Sequence, residues 1–369
     1  MKIEAIRVYQ VDLPLIEGRY TWAGGKHFVE TFDSTIVELL TDDGHAGYGE
    51  NTPLGSAYLP AFALGTRAGI AELAPQLIGQ DPTAVGCIND LMDTMLNGHP
   101  YAKSAIDMAC WDLLGQTAGK PICELMGGRH GDDFKLYRAI SMGSPDEMAA
   151  NVEGYRQQGY SKFQLKVGGD PLEDSERIRA VRSILADDEI LVADANTGWR
   201  VDDAARVVDA VRDVDVYIEQ PCKSYEHSLT IRRRTDLPFI LDENIDSLQM
   251  LIRAHQDGAM DAINLKISKF GGLTKAKIAR DVCVTLGIPM NIEDTWGSDF
   301  ITAAIAHLSH STPDEFRFAA TDFNAYVNVK TGSGLDDKQA GAAKAPDKPG
   351  LGITPDFAVL GDPVAEYSA

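Results

Sequence analysis

Between residues 134 and 320 the sequence repeats one pattern, a short, nearly continuous apolar run followed by an amphipathic helical stretch, and few folds accept it. The runs are FKLYRAI, KFQLKV, ILVADA, VDVYIEQ, FILDEN, AINLKI, IPMNIED and EFRFAAT. Strands this apolar are buried on both faces, and the helices between them return the chain to the same end of the sheet. That is the construction of a parallel α/β barrel of the TIM type.

The polar residues that close the runs narrow the reading further. Lys166, Asp194, Glu219, Asp242, Lys266 and Glu293 each end one run, at intervals of 28, 25, 23, 24 and 27 residues. Each interval is one strand–helix unit long. The six side chains therefore stand at corresponding strand ends and face one mouth, the end at which barrels keep their chemistry.

The rest of the chain has a different texture. Residues 3–12 and 34–40 alternate as strands do, TDDGHAG is a turn, and ALGTRAGIAELAPQLIG and AKSAIDMACWDLLGQTAG are helical, the latter stopped by a glycine. This predicts an α+β capping domain over 1–125, a barrel over 126–330, and a segment 331–369 that packs back on the cap. The stretch KTGSGLDDKQAGAAKAPDKPG within that segment reads as loop or mobile surface.

A net charge of −21 excludes a sequence-independent hold on nucleic acid or on an anionic membrane, both of which need clustered Lys and Arg. The five cysteines are far apart and without a CxxC pair, so reduced and mostly buried thiols are expected. The first residues lack the apolar run of a signal peptide and no stretch suits a membrane span; a cytoplasmic location is the expectation.

Asp194, Glu219 and Asp242 end three consecutive strands, and three oxygen donors without His or Cys suit Mg²⁺, with Mn²⁺ a possible substitute. Lys166 and Lys266 lie four strands apart, on opposite sides of an eight-stranded ring, so a molecule held between them has one amine on each face. Removing a proton next to a carboxylate forms a dianionic enediolate, which a divalent ion neutralises and a lysine of lowered pKa can initiate. Lys162 and Lys269 are read as ordinary solvated or snorkelling lysines.

The KVGG stretch with Lys166, the DAN run with Asp194 and Asn196, IEQP with Glu219, LDE with Asp242 and NLKISKFGG with Lys266 resemble the mandelate racemase/muconate lactonizing branch of the enolase superfamily. The pairing of a Lys or His base with Mg²⁺ is a general description of such sites. The resemblance implies a (β/α)7β barrel and a symmetric homo-oligomer. It also implies a cap whose two segments, about 17–30 and 48–60, choose the substrate, making Trp22, Lys26, Ser56 and Tyr58 candidate contacts. Many members of the branch carry Lys-x-Lys on the second strand, whereas Gln164 stands first here.

Within that family ENTPLGSAYLPAFALG, NGHPYAK, LYRAIS, IEDTWGSD and FAATDFNAY are similar to enzymes of proline derivatives, above all dehydratases of cis-3-hydroxy-L-proline. Epimerases of 4-hydroxyproline betaine share the lysines and metal ligands and define the alternative, a two-lysine 2-epimerisation. Thr321 and Asp322 after the eighth strand favour a free imino acid, since a carboxylate accepts hydrogen bonds that a quaternary nitrogen cannot donate. Asn196, Glu293, Asp294, Thr321 and Asp322 are the further candidate substrate contacts. A barrel that binds metal and ligand without chemistry is the reading of another class.

Overall fold

The computed structural model describes residues 1–335 and 341–368. Eight parallel strands follow one another in chain order: Arg138–Ile140, Lys162–Lys166, Ile190–Asp194, Tyr217–Glu219, Phe239–Leu241, Ala262–Lys266, Met290–Glu293 and Arg317–Ala320. A parallel bridge between Leu136 and Ala320 closes the ring. Seven of the strands are followed by a helix of eight residues or more, from Pro145–Arg156 to Asp299–His310, and the eighth by none, which is the (β/α)7β arrangement.

Local chemistry sets the helix starts. Ser144 and Glu147 form a reciprocal capping box on Pro145–Arg156, and Asp170 accepts from the N–H groups of Leu172 and Glu173. Outward-facing Phe163, Leu165, Ile218, Phe239, Ile263 and Ile292 pack under the helices, while Val192, Ile240 and Ala262 fill the barrel interior. Alternation along each strand thus leaves the interior rows free to end in polar groups.

The first part of the chain forms an antiparallel sheet of Ile3–Pro14, Thr31–Thr41 and Ala46–Asn51, with Ala365–Ser368 paired to the outer side of the first strand. Helices Ala63–Leu77, Val85–Met95 and Pro100–Ala118 cover it through Ile6, Val8, Val37, Leu39, Ile70, Leu73, Ile106 and Leu113. The last of these helices begins on proline and ends on Gly119 in the left-handed region. Between the first two strands a hairpin, Tyr20–Trp22 with His27–Val29, reaches over the barrel mouth.

One expectation changes. The stretch after residue 330 is packed where it is described: Thr331, Ala342, Ala345 and Leu351 are buried. Leu351 donates its N–H to Asp112, and Ala345 its N–H to His310. Residues 336–340 of that stretch lie outside the described residues. The cysteines, as expected, are free and mostly buried, Cys87 being the exposed one.

Candidate active site

Strand register explains how the acids and lysines meet. Lys166 pairs in register with Asp194, Asp194 with Glu219, and Lys266 with Glu293, so neighbouring strands end in neighbouring charges. Lys166 forms an ion pair with Asp194. Across the mouth, Lys266 lies 3.0 Å from Asp242 and 3.2 Å from Glu293. All six of these side chains are buried.

Glu219, at the centre of the row, is held by neutral donors. The Gln164 amide donates to both of its oxygens at 3.0 Å, and Asn264 donates at 2.6 Å. Gln164, where the resemblance leads one to expect lysine, thus orients the Glu219 carboxyl without placing a positive charge beside it. Asp242 receives the Tyr58 hydroxyl at 2.6 Å and the Lys269 ammonium at 2.9 Å, while the Tyr58 oxygen accepts from Lys266 at 2.6 Å.

The electrostatics follow from crowding in a dry place. Burial, with Asp194 and Asp242 beside it, raises the Glu219 carboxyl well above the usual carboxylate range. Burial alone would lower the Lys166 ammonium, but Asp194, Tyr20 and Glu219 raise it well above the ordinary lysine value. Lys266 behaves alike: burial opposes its charge, and Asp242, Glu293 and Glu243 outweigh it. Five carboxyl groups, those of Asp194, Glu219, Asp242, Glu243 and Glu293, crowd against three ammonium groups, those of Lys166, Lys266 and Lys269, and burial with this mutual repulsion also raises Glu243 and Glu293.

The three acids do not stand as a finished triad. Among the described residues no group of three or more His, Cys, Asp or Glu side chains is gathered to hold an ion. Asp194 and Asp242 turn to the lysines instead, because a buried ammonium within reach is the nearest counter-charge. The donor set nevertheless fits a hard divalent cation: all-oxygen, buried, at consecutive strand ends, with more carboxyl than ammonium groups around it and an unpartnered Glu243 Oε2 beside it.

The remaining candidates divide. Asn196 is buried, left-handed at φ 43°, and donates to Glu243 at 3.3 Å. Glu293 accepts from Tyr137, and Thr321 is buried with its hydroxyl unpartnered. Asp322 is buried within the electrostatic reach of Arg138. Trp22 is buried in the hairpin against Tyr20 and His27. Asp294 faces away from the mouth, fixed by the Ser268 and Thr295 N–H groups at 3.0 and 2.7 Å. Lys26 is exposed, its ammonium 3.1 Å from the Gly198 carbonyl, and Ser56 is exposed as well.

Lys269 corrects the sequence reading. It is 6% exposed and also reaches the Asn264 carbonyl at 3.2 Å, because the short helix Ile267–Phe270 brings it round to the side of Lys266. Lys162 is likewise no solvated lysine: it bonds the Phe318 carbonyl, and burial lowers it to about 8. Tyr137, Tyr20, Glu243 and Asn264 were not singled out by the pattern. Tyr137 had a signal, since it precedes the first strand with the parity of an inward-facing residue.

Two cap segments cover the mouth. The hairpin tip rests on the glycines after Lys166, Gly24 donating its N–H to the Val167 carbonyl at 3.1 Å. Gly24 has φ +70°, and a Cβ there would lie 2.4 Å from the Gly168 carbonyl oxygen. Gly168, at φ +103°, would in turn drive a Cβ to 2.4 Å from the Ala195 carbonyl oxygen. Only bare backbone fits. Beside it Phe32 of the cap stacks on Trp296 at 4.3 Å, and Trp296 on Phe323 at 5.0 Å.

A barrel whose mouth gathers buried carboxylates between two opposed lysines, roofed by a separate α+β unit, defines a class of enzymes that move protons at carbon next to a carboxylate. Residues 147–359 match the enolase C-terminal domain-like family, and 25–127 the N-terminal domain of mandelate racemase/muconate lactonizing enzymes. The chain belongs to the mandelate racemase/muconate lactonizing family of the enolase superfamily.

Among its relatives is a cis-3-hydroxy-L-proline dehydratase of Roseibium aggregatum, 61% identical over 100% of both chains. An N-succinyl-L-Arg/Lys racemase of Bacillus cereus is 32% identical, over 84% of this chain and 85% of its own. A mandelate racemase/muconate lactonizing enzyme from Roseovarius nubinhibens, solved in complex with magnesium, superposes with a TM-score of 0.96 at 37% identity, covering 100% of both chains.

Proposed function

We propose that this enzyme dehydrates cis-3-hydroxy-L-proline to Δ1-pyrroline-2-carboxylate. The observation that carries the chemistry is the pair of buried lysines on the second and sixth strands, with the carboxylates between them. The full-length 61% identity to a dehydratase of that substrate selects the substrate.

Asp194, Glu219 and Asp242 are the residues that would hold Mg²⁺, or Mn²⁺ on the same oxygen donors. The bound ion supplies positive charge to the substrate carboxylate as it takes up enediolate character. In cis-3-hydroxy-L-proline the hydroxyl and carboxylate share a ring face, so the α-hydrogen lies on the other. Lys166 removes that proton from C2; the electron pair forms the C2–C3 double bond as the C3–O bond breaks. Lys266 delivers a proton to the departing oxygen, releasing water. The enamine then tautomerises to the cyclic imine.

Lys166 must enter the reaction without its proton, so Asp194, which pairs with it here, controls its readiness. Tyr58 donates to Asp242 and accepts from Lys266, and the buried Thr321 and Asp322 after the eighth strand are the groups assigned here to recognition of the ring nitrogen.

Incubation with cis-3-hydroxy-L-proline and Mg²⁺ in D₂O, followed by NMR and by trapping with o-aminobenzaldehyde, tests the proposal. A trapped imine is the expected result. Racemisation of proline betaine or 4-hydroxyproline betaine, with no imine at any Mg²⁺ concentration, overturns it in favour of 2-epimerisation. Ligand binding without exchange of any α-proton overturns both in favour of a non-catalytic barrel.

A further inference from the structure

Glu50 is the next-to-last residue of the third strand of the capping sheet and is fully buried, yet it takes no part in the chemistry above. Within the cap it accepts from Ser34 Oγ at 2.7 Å and Thr52 Oγ1 at 2.9 Å. Across the interface it accepts from Ser298 N at 2.9 Å, Ser298 Oγ at 2.7 Å and Ile301 N at 3.1 Å. Those two N–H groups open the helix Asp299–His310, so a carboxylate of the cap satisfies the free donors of a barrel helix.

The same junction is the root of the second lid segment. The Thr52 carbonyl accepts from Thr295 Oγ1 at 2.9 Å, tying the chain to the loop after the seventh strand. From there residues 52–62 run over the mouth, and the far stem returns through Thr66 Oγ1, which donates to Asn51 at 2.7 Å. Tyr58 lies midway along this span, its hydroxyl 2.6 Å from both Asp242 and Lys266. A loop of this length without regular structure holds a hydroxyl in place only if its stems are fixed.

We propose that Glu50 is a positioning residue for the active site: it clamps the stem of the 52–62 loop to the seventh-strand helix, and so fixes the Tyr58 hydroxyl against Lys266. The proposal rests on the reading of Lys266 and Tyr58 as parts of the site. All five donors converge on two carboxylate oxygens. Glutamine at this position offers one acceptor oxygen and turns an NH₂ group toward the remaining donors.

Glu50→Gln in the full chain tests the clamp by two readouts. In hydrogen–deuterium exchange, peptides spanning 52–62 should exchange about tenfold faster, while peptides of the second and sixth strands keep their rates. In a double-mutant cycle, Glu50→Gln should lower kcat/KM about 10- to 100-fold in the native background but less than about twofold in Tyr58→Phe, since both changes remove one effect. Unchanged exchange at 52–62, or two losses that simply multiply, overturns the proposal. Should Glu50→Gln not fold, Thr295→Val cuts the adjoining bond to Thr52 and is read in the same way. Failure of the native enzyme to dehydrate cis-3-hydroxy-L-proline would sink the proposed function, while exchange at 52–62 would still decide the role of Glu50.

Discussion

At the scale of single residues the site is a contest between buried charges. Lys166 and Lys266 sit on opposite strands, so their losses should differ in kind. Lys166→Ala should abolish wash-in of solvent deuterium at C2 of the substrate along with dehydration; Lys266→Ala should abolish dehydration, each by a factor of about 10³ or more. Turnover surviving either change removes the two-lysine scheme. Glu219 depends on neutral donors for its orientation, and Asn264→Leu removes the shorter of its contacts, at 2.6 Å. Calorimetry should find Mg²⁺ affinity about 10- to 100-fold weaker, as is usual when the partner of a ligand is lost.

What the sequence disclosed at this scale was position along the barrel, because a strand-end residue repeats with the strand–helix period. Contacts were less legible. Lys269 looked like any surface lysine until the short helix Ile267–Phe270 turned it inward, and Asp294 looked like a mouth residue until Ser268 captured it. Both depend on a local turn of the chain that the apolar pattern does not record.

At the scale of elements, the close approach of the hairpin tip to the second strand is the contact with least slack. Gly24→Ala would place a methyl group 2.4 Å from the Gly168 carbonyl oxygen in a left-handed conformation. The expected result is a destabilisation of about 1–3 kcal/mol in urea unfolding and a raised KM, because the hairpin is pushed off the mouth. An unaltered KM would show that the hairpin does not shape the site. The GG pair in KVGG was visible in the sequence; its reason was not, since Gly24 lies 144 residues away and nothing local announces the meeting. The lid segments at 17–30 and 48–60 were expected from family resemblance, and Tyr58 reaches the lysine while Lys26 and Ser56 stay outside.

At the scale of the whole molecule, two buried histidines join the C-terminal segment to the barrel in their neutral forms. His307 accepts from Cys123 N at 3.3 Å and donates to the Leu351 carbonyl at 3.1 Å; His310 accepts from Ala345 N at 3.0 Å. Burial lowers His307 to about 3 and His310 to about 4. At these two positions the unfolded chain takes up protons near pH 6.5 and the folded one does not, so the histidines' contribution to stability should be flat above that pH and fall below it. The slope is at most about 1.4 kcal/mol per pH unit for each histidine. Urea unfolding at pH 7.5 and 5.0 checks the fall, and His307→Gln should reduce it. Addition of Mg²⁺ at about 100 times its dissociation constant should stabilise the fold by about 2.7 kcal/mol, and chelation should reverse this; no shift on either step would speak against a site for the ion.

The clamp of Glu50 on the helix after the seventh strand also bears on recombination. Charged chemistry comes from the barrel and the covering aromatic and tyrosyl groups from the cap, which invites chimaeras that graft one relative's cap onto another's barrel. Such a hybrid inherits both halves of the handshake only if its two parents agree at positions 50 and 298. Parents that differ there should yield well-folded hybrids with idle active sites.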